Sequence, residues 1–434
     1  MNINDLYLIY QQYPLISTDS RNIIPKSIFF ALKGESFDGN KYAFEALDKG
    51  AAYAVVDDVK VNHPKCFLVE NVLNTLQELA NYHRKHLNTK VIGITGTNGK
   101  TTTKELTLAT LSKKFKTIAT KGNLNNHIGV PLTLLSVPVD TEMAIIEMGA
   151  NHIGEIAQLC SIAEPDLGII NNIGKAHLEG FGSFEGVVTA KTEMYRYLNN
   201  KENGIIFYNA NNPLLVSEVA KVSCQKIGFG DAAKTEIYGE IVEVNPTLVC
   251  KIYCKGSERI VKTHLTGSYN LENILAAITI AMYVGVAFAD ACEAIAEYVP
   301  QNNRSQIVEK SFNTVLCDYY NANPVSVEAA IRNFAILKTG KREKKIVILG
   351  EMKELGKYSL EEHTKIVNLL SEMKFSEVYL VGNSFIETAK QVNFKTFENT
   401  NALVDYICQN PIKDAMVLVK GSRAMKLELT VDVL

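Results

Sequence analysis

Apolar and polar positions at the start of the chain predict a small α/β unit. Short apolar runs predict strands at residues 28–32, 54–56 and 67–69. Between the first two, residues 42–50 have a helical pattern that ends in a glycine. Residues 71–87 carry apolar side chains at the spacing of an amphipathic helix, and a polar break at Asn88 precedes the next strand. The pattern therefore predicts a first domain over residues 1–88.

The middle of the chain alternates between the two periodicities. Predicted strands lie at residues 91–95, 144–148, 167–170 and 204–208, and predicted helices at residues 101–111, 153–163, 184–198, 213–220, 270–284 and 289–299. Such alternation predicts a mostly parallel sheet that helices cover on both faces. Between residues 235 and 264 the period changes to two, which indicates an antiparallel hairpin. A central domain over residues 89–302 follows from this pattern.

A third series of strands and helices follows the polar segment that ends near residue 302. Its predicted strands lie at residues 314–317, 345–349, 378–381 and 416–419. This series predicts a C-terminal Rossmann-like domain over residues 303–434. The predicted fold is therefore α/β in three domains.

Composition narrows the class of protein and of partner. The chain has 434 residues, of which 47% are apolar and 21% charged, as in folded globular proteins. Its 45 basic and 47 acidic residues nearly balance, which disfavours nucleic acid as a partner. We see neither a secretory signal nor an apolar run of the ~18 residues that span a membrane. The eight scattered cysteines lack zinc-site spacing and indicate reduced thiols, so we expect a cytoplasmic protein without membrane insertion.

The strongest local signal is the run G-I-T-G-T-N-G-K-T-T at residues 93–102, between an apolar strand and a helix. Its glycines allow backbone N–H groups to converge on phosphate, Lys100 can reach the β and γ phosphates, and Thr101 can bind magnesium. Ile94 stands where the general phosphate-loop pattern has glycine. The alternative is a turn that binds no nucleotide. The predicted ATP contacts are Gly96, Thr97, Asn98, Gly99, Lys100, Thr101 and Thr102.

This variant of the loop resembles the Mur ligase family and its relative folylpolyglutamate synthase, which make amide bonds through acyl phosphates. Further motifs carry the resemblance over essentially the whole chain, at residues 17–21, 31–39, 122–131, 147–156, 176–183, 190–193, 318–324, 350–356 and 420–423. They look like the branch that adds D-alanyl-D-alanine to a UDP-linked muramoyl tripeptide in peptidoglycan synthesis. Asn303 replaces an expected glycine, and Tyr319 replaces the second residue of an acidic pair. The central sheet is then a P-loop mononucleotide-binding sheet.

The resemblance implies a catalytic group made of Lys100, Glu147, His177 and Lys191. Two magnesium ions would be held by Thr101, Glu147, His177 and a carbamylated Lys191. Glu147 also ends an apolar strand, where open α/β sheets bind ligands, and its oxygens suit magnesium. The residues taken singly leave other interpretations open: a solvated glutamate, a surface histidine and an ordinary helix-surface lysine.

The remaining assignments concern the two ends of the substrates. Asn273 and Arg304 would contact nucleotide, and Lys420, Ser422 and Arg423 would hold phosphate or the dipeptide. In the first domain, Thr18, Ser20, Arg21 and Lys33 would bind the UDP diphosphate, because hydroxyls and a guanidinium suit phosphate oxygens. The alternative there is a surface pair between Asp19 and Arg21. His83 and His86 are interpreted as structural or surface residues.

An acyl phosphate exposed to water would hydrolyse before an amine attacked it. We therefore expect the C-terminal domain to close over ATP and dipeptide, with hinges near residues 88 and 302. We also expect a monomer. The alternatives are another ligase of the family, a non-catalytic ATP-binding switch or scaffold, and a kinase. Glu147, His177 and Lys191 beside one phosphate loop favour chemistry over a switch.

Overall fold

The computed structural model describes residues 2–301 and 306–434. The N-terminal elements are α1 (Ile3–Gln12), β1 (Ile16–Ser17), β2 (Ile28–Phe30), β3 (Lys33–Gly34), β4 (Phe37–Asp38), a 3-10 helix (Gly39–Tyr42), α2 (Ala43–Asp48), β5 (Tyr53–Val56), β6 (Cys66–Leu68) and α3 (Val72–His86). A parallel sheet has the order β1-β2-β5-β6. Helix α1, which was not predicted, begins after Asn2, whose side chain accepts from the Asp5 N–H.

The central elements begin with β7 (Lys90–Thr95), α4 (Lys100–Leu111), β8 (Thr117–Ala119), α5 (Gly129–Leu135), β9 (Met143–Glu147), α6 (Glu155–Ala163), β10 (Leu167–Ile170), α7 (Leu178–Phe181), α8 (Phe184–Lys191) and α9 (Glu193–Asn200). They continue with β11 (Ile205–Asn209), α10 (Pro213–Val219), β12 (Gln225–Phe229), β13 (Ile237–Glu243), β14 (Val249–Cys254), β15 (Ser257–Lys262), α11 (Asn270–Tyr283) and α12 (Phe288–Glu297). Six parallel strands have the order β12-β11-β10-β7-β9-β8. The carboxyl ends of β9, β7 and β10 therefore lie side by side.

Two central predictions were wrong in detail. Residues 235–264 form a three-stranded antiparallel sheet, β13-β14-β15, instead of one hairpin, because the chain reverses twice. The helix predicted over residues 184–198 is two helices, α8 and α9. The break falls at Thr192, where ψ is −4° and the side-chain hydroxyl donates to the Val188 carbonyl at 2.8 Å. This ψ departs from the helical value of about −42°, which interrupts the regular helix.

The C-terminal elements are β16 (Gln306–Glu309), β17 (Asn313–Asp318), α13 (Pro324–Ile336), β18 (Lys344–Gly350), a 3-10 helix (Gly356–Tyr358), α14 (Ser359–Glu372), β19 (Glu377–Val381), α15 (Asn383–Thr388), β20 (Lys395–Phe397), α16 (Thr400–Gln409), β21 (Ala415–Lys420), a 3-10 helix (Arg423–Met425) and α17 (Glu428–Asp432). The sheet order is β16-β17-β21-β18-β19-β20, with β16 antiparallel and the rest parallel. The predicted α/β class and its Rossmann-like third part are confirmed.

The N-terminal and central parts share one apolar core. Leu76 and Leu79 of α3 are buried with Val130 and Leu134 of α5. At the end of α3 the Arg84 guanidinium donates to the Ala163 carbonyl at 3.0 Å and to Asp166 at 2.9 Å. Because α3 is anchored in this way, the packing does not favour the hinge predicted near residue 88. The hinge predicted near residue 302 lies outside the described residues.

His83 is structural, which is one of the two roles predicted for it. Its Nδ1 lies 3.1 Å from the Tyr7 hydroxyl and its Nε2 lies 3.0 Å from the Val137 carbonyl. His83 is buried, and burial lowers the pKa of its imidazole. Among the residues described, no helix is both long enough and apolar enough to cross a membrane.

Candidate active site

A cavity of about 720 Å³ lies between the carboxyl ends of the central strands and those of the C-terminal sheet. It is lined by side chains that follow β7, β9 and β10, and by Asp318 and Lys420, which end β17 and β21. Ten of the predicted site residues line it: Thr97, Asn98, Gly99, Lys100, Thr101, Thr102, Glu147, His177, Asn273 and Lys420. Chain segments remote in sequence thus meet where open α/β sheets bind ligands.

The phosphate loop is held in shape by its own backbone and by residues that follow β10. Gly99 has φ of +78°, and a Cβ there would lie 2.5 Å from Asn273 Oδ1, so both conformation and space require glycine. The N–H groups of Thr97 and Asn98 donate to the backbone carbonyl and to the side-chain oxygen of Asn172, each at 2.9 Å. Lys100 opens helix α4 and donates to the Gly96 carbonyl at 2.7 Å. The helix N-terminus and its lysine therefore flank the loop, as phosphate binding requires.

The Thr101 hydroxyl and the Glu147 carboxylate form a buried pair of hard oxygen donors. Thr101 Oγ1 donates to Glu147 Oε2 at 2.9 Å, and Asn125 Nδ2 donates to Oε1 at 2.9 Å. Neighbouring oxygens in an octahedron of magnesium bonds of 2.0–2.1 Å are also about 2.9 Å apart. The two side chains therefore fit a shared magnesium ion, and Glu147 is not the solvated strand-end residue of the alternative interpretation.

The chain supplies few further ligands. Within residues 2–301 and 306–434, no group of three or more His, Cys, Asp or Glu side chains is placed to hold a metal ion. Magnesium in nucleotide sites is usually held by one or two protein oxygens together with phosphate and water. The donor set suits an ion that arrives with a nucleotide.

Lys191 is buried at the end of α8, so it is not an ordinary helix-surface lysine. Its side chain is 3% exposed, and its ammonium lies 5.5 Å from the centre of the Phe181 ring. Burial, assisted by the positive charge of Lys100, lowers the pKa of Lys191 to about 7, against the opposing charges of Glu155 and Glu193. A large fraction of the amine is therefore neutral and nucleophilic near neutral pH.

His177 connects the central part to the C-terminal part. Its Nδ1 contacts Oε2 of Glu354, which lies between β18 and α14. This contact lowers the pKa of the Glu354 carboxyl. Further polar contacts join the same parts: Asn323 Nδ2 donates to Asn98 Oδ1 at 2.7 Å, the Lys338 N–H donates to Asn245 Oδ1 at 2.7 Å, and Lys175 lies 3.5 Å from Glu362.

Of the three residues predicted to hold phosphate or dipeptide, the structure places one at the cavity. Lys420 is 2% exposed and donates to Asp318 Oδ2 at 2.7 Å. Ser422 is buried and donates to the Glu351 carbonyl at 3.0 Å. The exposed Arg423 pairs with Glu428 at 3.2 Å. Neither Ser422 nor Arg423 is among the described residues that line the cavity.

The predicted diphosphate contacts also lie outside that lining. Arg21 is 88% exposed at its side chain and pairs with Asp19 at 2.7 Å, which is the surface pair of the alternative interpretation. Lys33 pairs with Asp57 at 2.8 Å. Thr18 is half-buried and Ser20 is buried. Arg304 lies outside the described residues.

Several asparagines of the site were missed in the sequence. Asn171 Nδ2 donates to Thr103 Oγ1 at 2.7 Å, which in turn donates to Asn273 Oδ1 at 3.1 Å. Asn171 and Asn172 follow directly after strand β10, so the same strand-end rule that selected Glu147 would have found them. Asn125 belongs to the run at residues 122–131, where nothing local showed that it would contact a carboxylate.

Three protein-family models match successive segments of the chain. The family model "Mur ligase family, catalytic domain" matches residues 12–91, "Mur ligase middle domain" matches residues 94–281, and "Mur ligase, glutamate ligase domain" matches residues 303–423.

The chain is also similar to individual proteins, both in sequence and in structure. The UDP-N-acetylmuramoyl-tripeptide--D-alanyl-D-alanine ligase of Bacillus subtilis is 34% identical over 424 residues, which cover 95% of this chain and 91% of that protein. A crystal structure of MurF from Acinetobacter baumannii is similar with a TM-score of 0.86 at 30% identity, over 96% of this chain and 92% of the other. MurF ligase from Thermotoga maritima in complex with ADP is similar with a TM-score of 0.83 at 29% identity, over 96% of both chains.

Proposed function

The chain belongs to the Mur ligase family, and we propose that it joins D-alanyl-D-alanine to UDP-N-acetylmuramoyl-tripeptide with cleavage of ATP to ADP and phosphate. The product is the UDP-linked pentapeptide of peptidoglycan synthesis. The observation that carries the proposal is the cavity, where the phosphate loop, the Thr101–Glu147 pair and Lys420 of the C-terminal sheet meet. A switch needs the loop alone, whereas a ligase must bring three substrates to one place.

The reaction must first activate a carboxylate. An oxygen of the tripeptide carboxylate attacks the γ phosphorus of ATP, the bond from that phosphorus to ADP breaks, and an acyl phosphate forms. The dipeptide amine then attacks the acyl carbon, phosphate leaves with the electron pair of the broken carbon–oxygen bond, and the amine loses a proton. Because ATP and the tripeptide carboxylate that attacks it are both negatively charged, positioning and cations provide most of the catalysis. Lys100 is the cation of the loop.

We assign Thr101 and Glu147 to one magnesium ion, and His177 with a carbamylated Lys191 to a second. Bound there, magnesium would screen the phosphate charges and polarise the transferring phosphoryl group. The chain's own contribution is to hold the Thr101 and Glu147 oxygens 2.9 Å apart and out of water.

Carbamylation of Lys191 forms a bond between its neutral Nζ and the carbon of CO2, with release of one proton. The change converts a cation into an oxygen-bearing anion that suits magnesium. Its burial beside Phe181 supports this assignment, because a buried ammonium is destabilised and a carbamate paired with a metal is not. The pKa of about 7 keeps enough amine neutral for the reaction.

The rest of the site is assigned as follows. Asn273 and Arg304 contact nucleotide, and Lys420, Ser422 and Arg423 hold phosphate or dipeptide. Thr18, Ser20, Arg21 and Lys33 bind the diphosphate of the UDP substrate, for which Asp19 and Asp57 must give up their ion pairs.

The proposed domains are residues 1–88, 89–302 and 303–434. We propose that the protein is a monomer. We also propose that it lies in the cytoplasm, because ATP and reduced thiols are found there and the eight cysteines are free.

Phosphate release measured with ATP, magnesium and UDP-muramoyl tripeptide tests this function. D-alanyl-D-alanine, L-alanyl-L-alanine, single amino acids and glutamate are compared as acceptors. Turnover is expected with D-alanyl-D-alanine and with none of the other acceptors. Glutamate addition to a folate would indicate folylpolyglutamate synthase, and addition of a single amino acid another ligase of the family. ATP binding without turnover would indicate a switch.

A further inference from the structure

The run G-E-M-K-E-L-G at residues 350–356 leaves the carboxyl end of β18, and its glutamate Glu354 reaches across to the central part. Oε2 of Glu354 contacts Nδ1 of His177, a buried nitrogen that has no other hydrogen-bond partner among the described residues. The 3-10 helix that begins at Gly356 packs against α7, which begins just after His177, and a Cβ on Gly356 would lie 3.3 Å from Glu179. The contact is thus part of a fitted surface between two segments that are remote in sequence.

Both partners have unusual backbones. His177 has φ of +50° and Glu354 has φ of +64°, the left-handed region that L-residues with a side chain seldom adopt. Such a conformation is energetically costly and persists where the surroundings require it. Both residues therefore hold a costly backbone conformation at the point where the central and C-terminal parts meet.

We propose that Glu354 is a positioning residue for His177. When the C-terminal domain closes, the Glu354 carboxylate accepts a hydrogen bond from the Nδ1–H of His177, which leaves Nε2 with a free electron pair for the second magnesium ion. A carboxylate only accepts hydrogen bonds, so its neutral imidazole partner carries the proton on Nδ1. Histidines that bind metals are commonly held by a carboxylate in this way.

The proposal makes metal binding depend on domain closure. Thr101 and Glu147 belong to the central part alone and meet before closure. His177 receives its orienting carboxylate from the C-terminal part, so its nitrogen is set when that part arrives. A second ion would therefore bind tightly after the dipeptide-bearing domain is in place. This inference rests on the proposed function for the role of His177, but its first test needs neither substrate nor metal.

The first test reads the tautomer of His177 directly. Nitrogen-15 shifts of the eight histidines are recorded at about pH 8, where free imidazole is neutral, and His177→Gln identifies the signal. Wild-type protein is expected to show protonated Nδ1 and unprotonated Nε2. Glu354→Ala is expected to move the proton towards Nε2, and Glu354→Gln, whose amide oxygen still accepts, is expected to keep it on Nδ1. An imidazolium, or a tautomer unchanged in Glu354→Ala, would overturn the proposal.

The second test measures Mn²⁺ affinity by electron paramagnetic resonance with a non-hydrolysable ATP analogue and UDP-muramoyl tripeptide. Glu354→Ala is expected to lower the Mn²⁺ affinity by about 10- to 100-fold. This is the usual effect of removing the hydrogen-bond partner of a metal-binding residue. Glu354→Gln should lower the Mn²⁺ affinity less. In protein that already carries His177→Gln, adding Glu354→Ala should lower the affinity no further. Glu362→Ala is the matched control, because it removes the Lys175 contact across the same junction without touching His177.

The outcomes separate positioning from closure alone. An equal loss of Mn²⁺ affinity in Glu362→Ala would show that Glu354 acts only by holding the domains together, and an unchanged affinity in Glu354→Ala would show that it does nothing for the metal. Either would overturn the proposal. If the protein proves inactive with D-alanyl-D-alanine, the tautomer measurement still stands, so failure of the proposed function is seen separately.

Discussion

The two junctions between the parts of this molecule differ in kind. The N-terminal and central parts share one apolar core, in which α3 packs against α5 and α6. The C-terminal part has cores of its own, built from residues between 307 and 434. It meets the central part through polar contacts such as Asn98–Asn323 and His177–Glu354, and Tyr358 also packs against the shared core. Buried apolar area fixes an orientation, whereas a few polar contacts between two parts with separate cores contribute less net free energy and release more easily.

This difference divides the site into two halves. One is preassembled within the central part, and the other is supplied by the C-terminal part. The phosphate loop, Glu147 and Lys191 belong to the central part and are already packed. Asp318 and Lys420 reach the cavity from the C-terminal part, and Glu354 of that part contacts His177, which lines the cavity. The proposed domain closure would therefore complete the site without rebuilding it, and would protect an acyl phosphate from water.

The largest expected effect lies in the preassembled half. Glu147→Gln should lower kcat by about 10³-fold, or about 4 kcal/mol, because a neutral amide binds magnesium poorly, while the distance between the central and C-terminal domains stays as in wild type. Steady-state kinetics and fluorescence energy transfer measure the two. Glu142→Gln, just before the same strand, is the control. Retention of more than a tenth of the activity would contradict the assignment.

The second-largest effect is expected at the apolar core that the N-terminal and central parts share. Leu79 is fully buried in α3, and Leu79→Ala should lower the free energy of unfolding by about 3 kcal/mol through the cavity it leaves. Denaturant unfolding and hydrogen exchange should show the N-terminal and central parts opening together. Leu8→Ala, at a position 53% exposed, should change little. Opening of the N-terminal part alone would show that the shared core does not couple the two.

Lys191 gives a pH-dependent test of preassembly. Its pKa falls from 10.5 to about 7 on folding, so the cost of burying its charge is complete below pH 7 and fades as the pH rises towards 10.5. Lys191→Met should therefore gain stability over wild type, by about 3 kcal/mol more at pH 6 than at pH 9, in buffers free of CO2. The exposed Lys90→Met should show no such difference. A gain independent of pH would mean that Lys191 is not buried as a cation.

The smallest effect is expected at the polar junction. Lys175→Ala removes the contact with Glu362 and should change the free energy of unfolding by less than about 1 kcal/mol. It should still lengthen the mean distance between the central and C-terminal domains in fluorescence energy transfer. Lys221→Ala, which removes a pair with Glu218 inside the central part, should leave that distance unchanged. A loss of several kcal/mol would show that this junction is as fixed as the other.

The sequence predicted what is local and missed what long-range contacts determine. The phosphate loop lies in one segment between a strand and a helix, and Glu147 ends an apolar strand, so both could be placed by pattern. The contact of His177 with Glu354 joins segments remote in the chain, and no periodicity signals a left-handed residue without glycine. The break at Thr192 lies within a continuous helical pattern, and no apolar or polar periodicity marks a single residue whose ψ departs from the helical value. The exposed Asp19–Arg21 pair is compatible with either interpretation until substrate is bound.

The central claim is that the cavity activates the tripeptide carboxylate as an acyl phosphate. UDP-muramoyl tripeptide labelled with oxygen-18 in its terminal carboxylate tests it, with ATP, magnesium and D-alanyl-D-alanine present and the released phosphate analysed by mass spectrometry. One labelled oxygen is expected in each phosphate, because the carboxylate oxygen that attacks phosphorus leaves with it. Phosphate without label, accompanied by turnover, would mean that water attacked ATP and would contradict the account.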